Sequence, residues 1–129
     1  GRRIDMIDFQ NASFAKLRPV PPATFESMIA PMFVNGEQIV AVFQGMRDGV
    51  VFTNKRIISI NVQGVTGKKK DFSSLPYSKI QAFSVETAGV LDLDSELELW
   101  FSGLGKVTFE FASNADVSDL CRIIGAFVL

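Results

Sequence analysis

The stretch "ELELWFSGLGKVTFEFASNADVSDLCRIIGAFVL", Glu96–Leu129, decides the fold. Its first half keeps a period of two. Leu97, Leu99 and Phe101 alternate with Glu96, Glu98 and Trp100. Past Gly103 and Gly105 the alternation resumes, with Val107, Phe109 and Phe111 set against Thr108 and Glu110. Side chains on a strand point to opposite faces in turn, so two antiparallel strands with one apolar and one watered face are predicted. The second half changes period. Val117, Leu120, Cys121, Ile124, Phe127 and Val128 follow the spacing of an amphipathic helix, predicted over 114–129. Ser113 or Asn114 is expected to cap it, and Asp116 suits the positive end of its dipole.

Reading backwards, "KIQAFSVET" (79–87), "KKDFSSLP" (69–76), "RIISINVQ" (56–63), "GVVFT" (49–53) and "IVAVFQGM" (39–46) are strand-like, rich in Val, Ile and Phe and separated by short turns. In the 56–63 strand Ile58, Ile60 and Val62 face one way and Ser59 and Asn61 the other. That makes seven antiparallel strands followed by one helix. A sheet of seven strands curls or splits into two packed layers, and an apolar helix after the last strand plugs the open end. Residues 1–35 differ. Pro19, Pro21, Pro22 and Pro31 forbid a long helix, so this segment is read as an arm with short helical turns at Phe14–Leu17 and Thr24–Ile29, Thr24 serving as N-cap. Phe25, Met28, Ile29, Met32 and Phe33 give the arm an apolar side that packs on something. The domain proper is read as 36–129.

Composition removes whole classes of function. The chain has 129 residues, 47% hydrophobic and 21% charged, which is one globular domain. A net charge of −1 argues against a general nucleic-acid binder, whose affinity comes from neutralising phosphates. No apolar run approaches the roughly 20 residues needed to cross a bilayer, and no signal-peptide pattern opens the chain. One cysteine, Cys121, excludes an internal disulfide and fits a cytoplasmic location. The most restrictive fact is the absence of histidine. It removes Ser-His-Asp and Cys-His sites, His-containing zinc sites and the commonest general base, so no catalytic residue, metal or cofactor is expected.

Two motifs invite sharper readings. "QGVTGKKKD" (63–71) looks like a phosphate loop, but that loop requires G-x-x-x-x-G-K-[ST] and a following helix. Val62 stands where the first glycine belongs, Lys69 where the magnesium-binding hydroxyl belongs, and "DFSSLPYSKI" reads as extended chain. The acidic run Asp92, Asp94, Glu96, Glu98 suggests calcium. An EF-hand loop from Asp92 needs Gly sixth and Glu twelfth, and the chain has Leu97 and Gly103 there. Alternation with leucines makes it the outer face of a strand.

With these blocks in place the chain resembles the bacterial pleckstrin-homology-like (PH-like) domain family. The resemblance rests on RD (47–48), FTNKR (52–56), QGVTGKKK (63–70), LPYSKI (75–80), FSVETAG (83–89) and DLDSEL (92–97), with GEQ at 36–38 before the first strand. Val90-Leu91 stand where many members carry a His-containing turn. The resemblance implies a mainly β, PH-like barrel without enzymatic activity, arranged in cyclic rings of itself, five subunits favoured. It further implies docking of an unidentified protein on a polar surface between neighbouring barrels. The positions expected at that surface are Arg47, Asp48, Lys55, Arg56, Gln63, Glu86, Thr87, Asp92 and Asp94.

Lys68, Lys69 and Lys70 form a possible anion patch. Lipid-reading PH modules draw basic residues from the turn joining strands one and two, which offers only Arg47 beside Asp48. Headgroup binding and membrane contact therefore rank second to protein docking. Trp100 falls on the watered face, either covered by the arm or serving as an interface anchor. Cys121 sits on the apolar helix stripe as a small core hydrophobe.

Overall fold

Every period-two run becomes a strand. The computed structural model describes residues 13–63, 68–87, 94–112 and 115–129. In chain order the elements are β1 (Ser13–Pro19), α1 (Ala23–Ile29), β2 (Ile39–Gln44), β3 (Asp48–Thr53), β4 (Arg56–Gln63), β5 (Lys69–Pro76), β6 (Ile80–Glu86), β7 (Ser95–Phe101), β8 (Gly105–Phe111) and α2 (Val117–Val128). Short 3-10 turns stand at Ala30–Met32 and Tyr77–Lys79. The strands form one sheet in the order β5-β4-β3-β2-β1-β8-β7-β6. The seven antiparallel strands read from the sequence are β2–β8.

β1 is the element the sequence misled on. Phe14–Leu17 is strand rather than helical turn, and it pairs parallel to β8, with Phe14 beside Phe109 and Leu17 beside Phe111. In a regular strand residues three apart face opposite ways. Here Lys16 adopts a left-handed backbone (φ 57) and the register shifts between Phe14 and Leu17. This bulge resets the alternation, so both side chains enter the core.

The sheet curls around a single interior. Phe43, Val50, Phe52, Ile57 and Leu75 from one half meet Leu97, Leu99, Phe101, Val107, Phe109 and Phe111 from the other. Phe14 stacks on Phe109 at 5.2 Å, and Phe43 meets Phe111 edge-on at 4.8 Å. α2 lays Val117, Leu120 and Ile124 into the same core, and Phe127 stacks on Tyr77 at 5.1 Å. The helix begins later than expected because Asp116 is itself the cap, its carboxylate accepting from the Asp119 amide at 3.1 Å. Ser113 and Asn114 lie outside the described residues.

A second, smaller cluster lies outside the curl. α1 presses Phe25 and Ile29 onto Val42, Val51, Ile58 and Ile60. That explains why β3 and β4 are apolar on both faces. Ser59 points the other way, into the interior. Pro22, not Thr24, occupies the N-cap position of α1, and no side chain closes the cap. Gly49 is required at this contact, since a Cβ there would come within 2.6 Å of the Phe25 ring.

Candidate interaction surface

Strand register sorts the expected surface positions. Gln44 pairs with Gly49 and Arg18, Leu17 and Ser95 both pair with Phe111, and Glu86 pairs with Glu96. Asp48 pairs with Asn61, and Gln63 with Lys69. Arg47, Asp48, Gln63, Glu86, Thr87 and Asp94 therefore share one rim of the curled sheet, together with Lys68–Lys70. Lys55 and Arg56 stand at the opposite rim, where Arg56 pairs with Pro76 and Ile80 with Phe101. Asp92 lies outside the described residues. The structure brings together the first set and separates the second.

Arg56 is engaged within the fold. Its Nε and Nη2 donate to the two oxygens of Glu37 at 2.9 Å each, Nη1 donates to Ser74 Oγ, and Nη2 also reaches the Met32 carbonyl. Thr53 Oγ1 donates to Glu37 Oε2 at 2.7 Å and the Val34 amide to Oε1 at 3.1 Å. The Glu37 side chain is fully buried. Burial pushes its carboxyl up, but the bonds from Arg56, Thr53 and Val34 together with the Arg56 charge outweigh it and hold it below its ordinary value. Tyr77 closes the cluster, donating to the Thr53 carbonyl at 2.7 Å; burial, then the Glu37 charge, raise its hydroxyl. Glu37 is the residue that sequence reasoning missed. The GEQ and FTNKR blocks hold its partners, and their joint role is to lock the α1–β2 connection onto the β3–β4 turn.

The shared rim carries two unlike faces. On the outer side of β6–β8, Glu86, Glu96 and Glu110 stand directly opposite one another across three strands. In the next row Glu98 stands between Ser84 and Thr108. Like charges opposite each other destabilise a sheet. Lys16 offsets part of this, at 2.7 Å from Asp94 and 3.9 Å from Glu110, and Lys106 lies 3.2 Å from Glu98. A cleft of about 280 Å³ opens between Ser84, Val85, Glu86, Glu96 and Glu98. Trp100 sits half-buried on this face between Ala82 and Lys106, within neither apolar cluster. The basic counterpart is the start of β5, where Lys68, Lys69 and Lys70 are all exposed.

The β2–β3 turn completes the rim. Met46 is 98% exposed and borders a groove of about 600 Å³ lined also by Arg18, Pro19, Val20, Gln44 and Gly45. Asp48 is half-buried next to it. Burial raises its carboxyl, with Arg47 opposing the shift. Among the described residues no group of three or more acidic or sulfur side chains is placed to hold a metal ion, and no helix is long and apolar enough to cross a membrane.

Comparison with known proteins places this geometry. The bacterial PH domain family matches residues 8–128. An uncharacterised Bacillus subtilis protein, YjqA, is 43% identical over 106 residues, covering 81% of this chain and 85% of YjqA. The crystal structure of a DUF1696 family protein with a pleckstrin-homology domain, from Shewanella loihica, superposes with a TM-score of 0.79 at 39% identity. It spans 89% of this chain and 99% of that one. A pleckstrin homology domain from Shewanella amazonensis gives 0.66 at 38% identity, over 85% and 90% of the two chains.

Proposed function

This chain belongs to the bacterial PH domain family, and from that premise we propose that it is a non-enzymatic module that assembles into a closed ring of itself and docks a protein on the polar rim between neighbouring barrels. The observation that carries this reading is the row Glu86–Glu96–Glu110, a concentration of like charge at one end of a sheet whose other end strand opens with Lys69 and Lys70, directly after Lys68. A head-to-tail contact joins two different surfaces of one chain and repeats until it closes, and an acidic face with a basic counterpart meets that requirement. Five subunits is the count that the family resemblance implies. Absence of histidine supports a non-enzymatic role, and the single cysteine supports a reducing cytoplasm.

A second reading, binding of anionic lipid headgroups, draws on one observation. Met46 stands almost fully exposed at a rim turn near Arg18 and Arg47, an apolar tip with basic neighbours. Asp48 weakens that site, and the glutamate face next along the rim repels an anionic surface. Flotation with phosphoinositide-containing vesicles separates the readings. Protein docking predicts that the chain stays with the unbound fraction at low and high salt. Salt-sensitive flotation, lost when Lys68, Lys69 and Lys70 are neutralised, would reverse the order.

A further inference from the structure

We infer that the interior of the barrel holds an ordered water molecule between β4 and β5, gripped by the hydroxyls of Ser59 and Ser73. The site lies within one chain and does not depend on the ring. Register places it. On the interior face of β3, β4 and β5 the cross-strand rows run Phe52–Ile57–Leu75, then Val50–Ser59–Ser73, then Asp48–Asn61–Asp71 at the rim. The first row is apolar and buried, and the last is polar and half-buried. The two environments meet in the middle row. Ser59 has no exposed surface there and Ser73 only 6%, while the buried positions beside them, Val50, Ile57 and Leu75, are all aliphatic.

Ser59 Oγ and Ser73 Oγ are both closed off from the surface, and neither finds a hydrogen-bond partner in the protein. They do not bond to each other, although the two residues stand directly opposite. Buried hydroxyls are almost always satisfied, because leaving one bare forfeits its hydration with no return. Opposite residues in an antiparallel pair have Cβ atoms about 4.5–5.5 Å apart. At that spacing two hydroxyls either turn toward each other or open to hold one water between them. The absence of a direct bond selects the second arrangement. A buried water typically makes about three hydrogen bonds. The serines supply two, and half-buried Asn61, two residues along β4 from Ser59 on the same face, supplies the third. The polar row opens to the rim and gives the water its path in. Arg47 lies close enough to Asp48 to oppose its shift, and Asp71 is itself engaged, so the pocket favours a neutral guest over a metal ion.

Urea unfolding of Ser59→Ala, Ser73→Ala and the double variant tests the site in the full chain. Two bare hydroxyls would make each alanine stabilising, since a buried polar atom leaves and no bond is lost. A shared water predicts the reverse. Each single variant should raise the unfolding constant about fivefold. The double variant should fall well short of the product of the two, because the second removal finds the bridge already broken. Additive losses, or a gain in stability, would overturn the shared water. A high-resolution crystal structure gives the direct view, with one density peak in hydrogen-bond reach of both Oγ atoms and none there in the double variant. An empty site in the parent would contradict the inference. So would a rise in the parent's urea midpoint with millimolar calcium or magnesium chloride that Asp71→Asn abolishes, since the guest would then be a metal ion.

Discussion

Glu37 stays ionised with no side-chain exposure because two Arg56 nitrogens, the Thr53 hydroxyl and the Val34 amide all donate to it. Removing the cation leaves a buried carboxylate without its counter-charge, so Arg56→Met is expected to cost about 3–5 kcal/mol in urea unfolding at neutral pH. Lys55→Met, one residue earlier on the exposed turn, should be nearly silent. Equal losses in the two variants would refute the network's role. The two titrating carboxyls act in opposite directions. Glu37 is held below its ordinary 4.5, so its contribution is present above that pH and disappears as the pH falls toward the lowered value. Asp48 is raised above its ordinary 3.8, so its contribution is present below that pH and is lost as pH rises through the raised value. Asp48→Asn should therefore stabilise the protein at neutral pH, and a lower urea midpoint there would contradict this. Sequence showed Lys55 and Arg56 as equivalent neighbouring cations. Which one finds a buried carboxylate depends on strand register and on a loop nineteen positions away in the chain, and neither has a local signature.

The strands and α2 were legible because burial on one face imposes period two or period 3.6 on the sequence, and both signals survive in a single chain. β1 was not. The left-handed Lys16 places its two core residues three apart, which imitates a helical turn, and its partner β8 lies at the other end of the chain. α1 was recognised as apolar but not placed, since the arm gives no sign that its target is the outer face of β2–β4. Phe25 and Ile29 bury almost completely there, each contributing roughly 1.5–3 kcal/mol. Gly49→Ala drives a methyl into the Phe25 ring, which is itself packed and has little room to retreat. A loss of about 1–3 kcal/mol is expected, recovered in part by Phe25→Leu on the same chain. If Gly49→Ala unfolds at the same temperature as the parent, α1 does not dock as described.

At the scale of the whole molecule, the sheet ends in two edges and carries acid and base on separate parts of one rim. Of the surface positions expected from sequence, Arg47, Asp48, Gln63, Glu86, Thr87 and Asp94 stand along one rim, while Lys55 and Arg56 stand at the other, where Arg56 is engaged by Glu37. Like-charge rows such as Glu86–Glu96–Glu110 emerge only from register, because alternation within one strand cannot tell what stands opposite in the next. A stable joint buries on the order of 1,200–2,000 Å², more than a charged ribbon alone supplies, so the proposed ring should persist when salt screens the charges. Static light scattering at micromolar concentration tests this most directly. The proposed ring requires one species near five times the 14.2 kDa chain mass in low salt, with an oligomeric mass retained in high salt, whereas a monomer mass in both would contradict it.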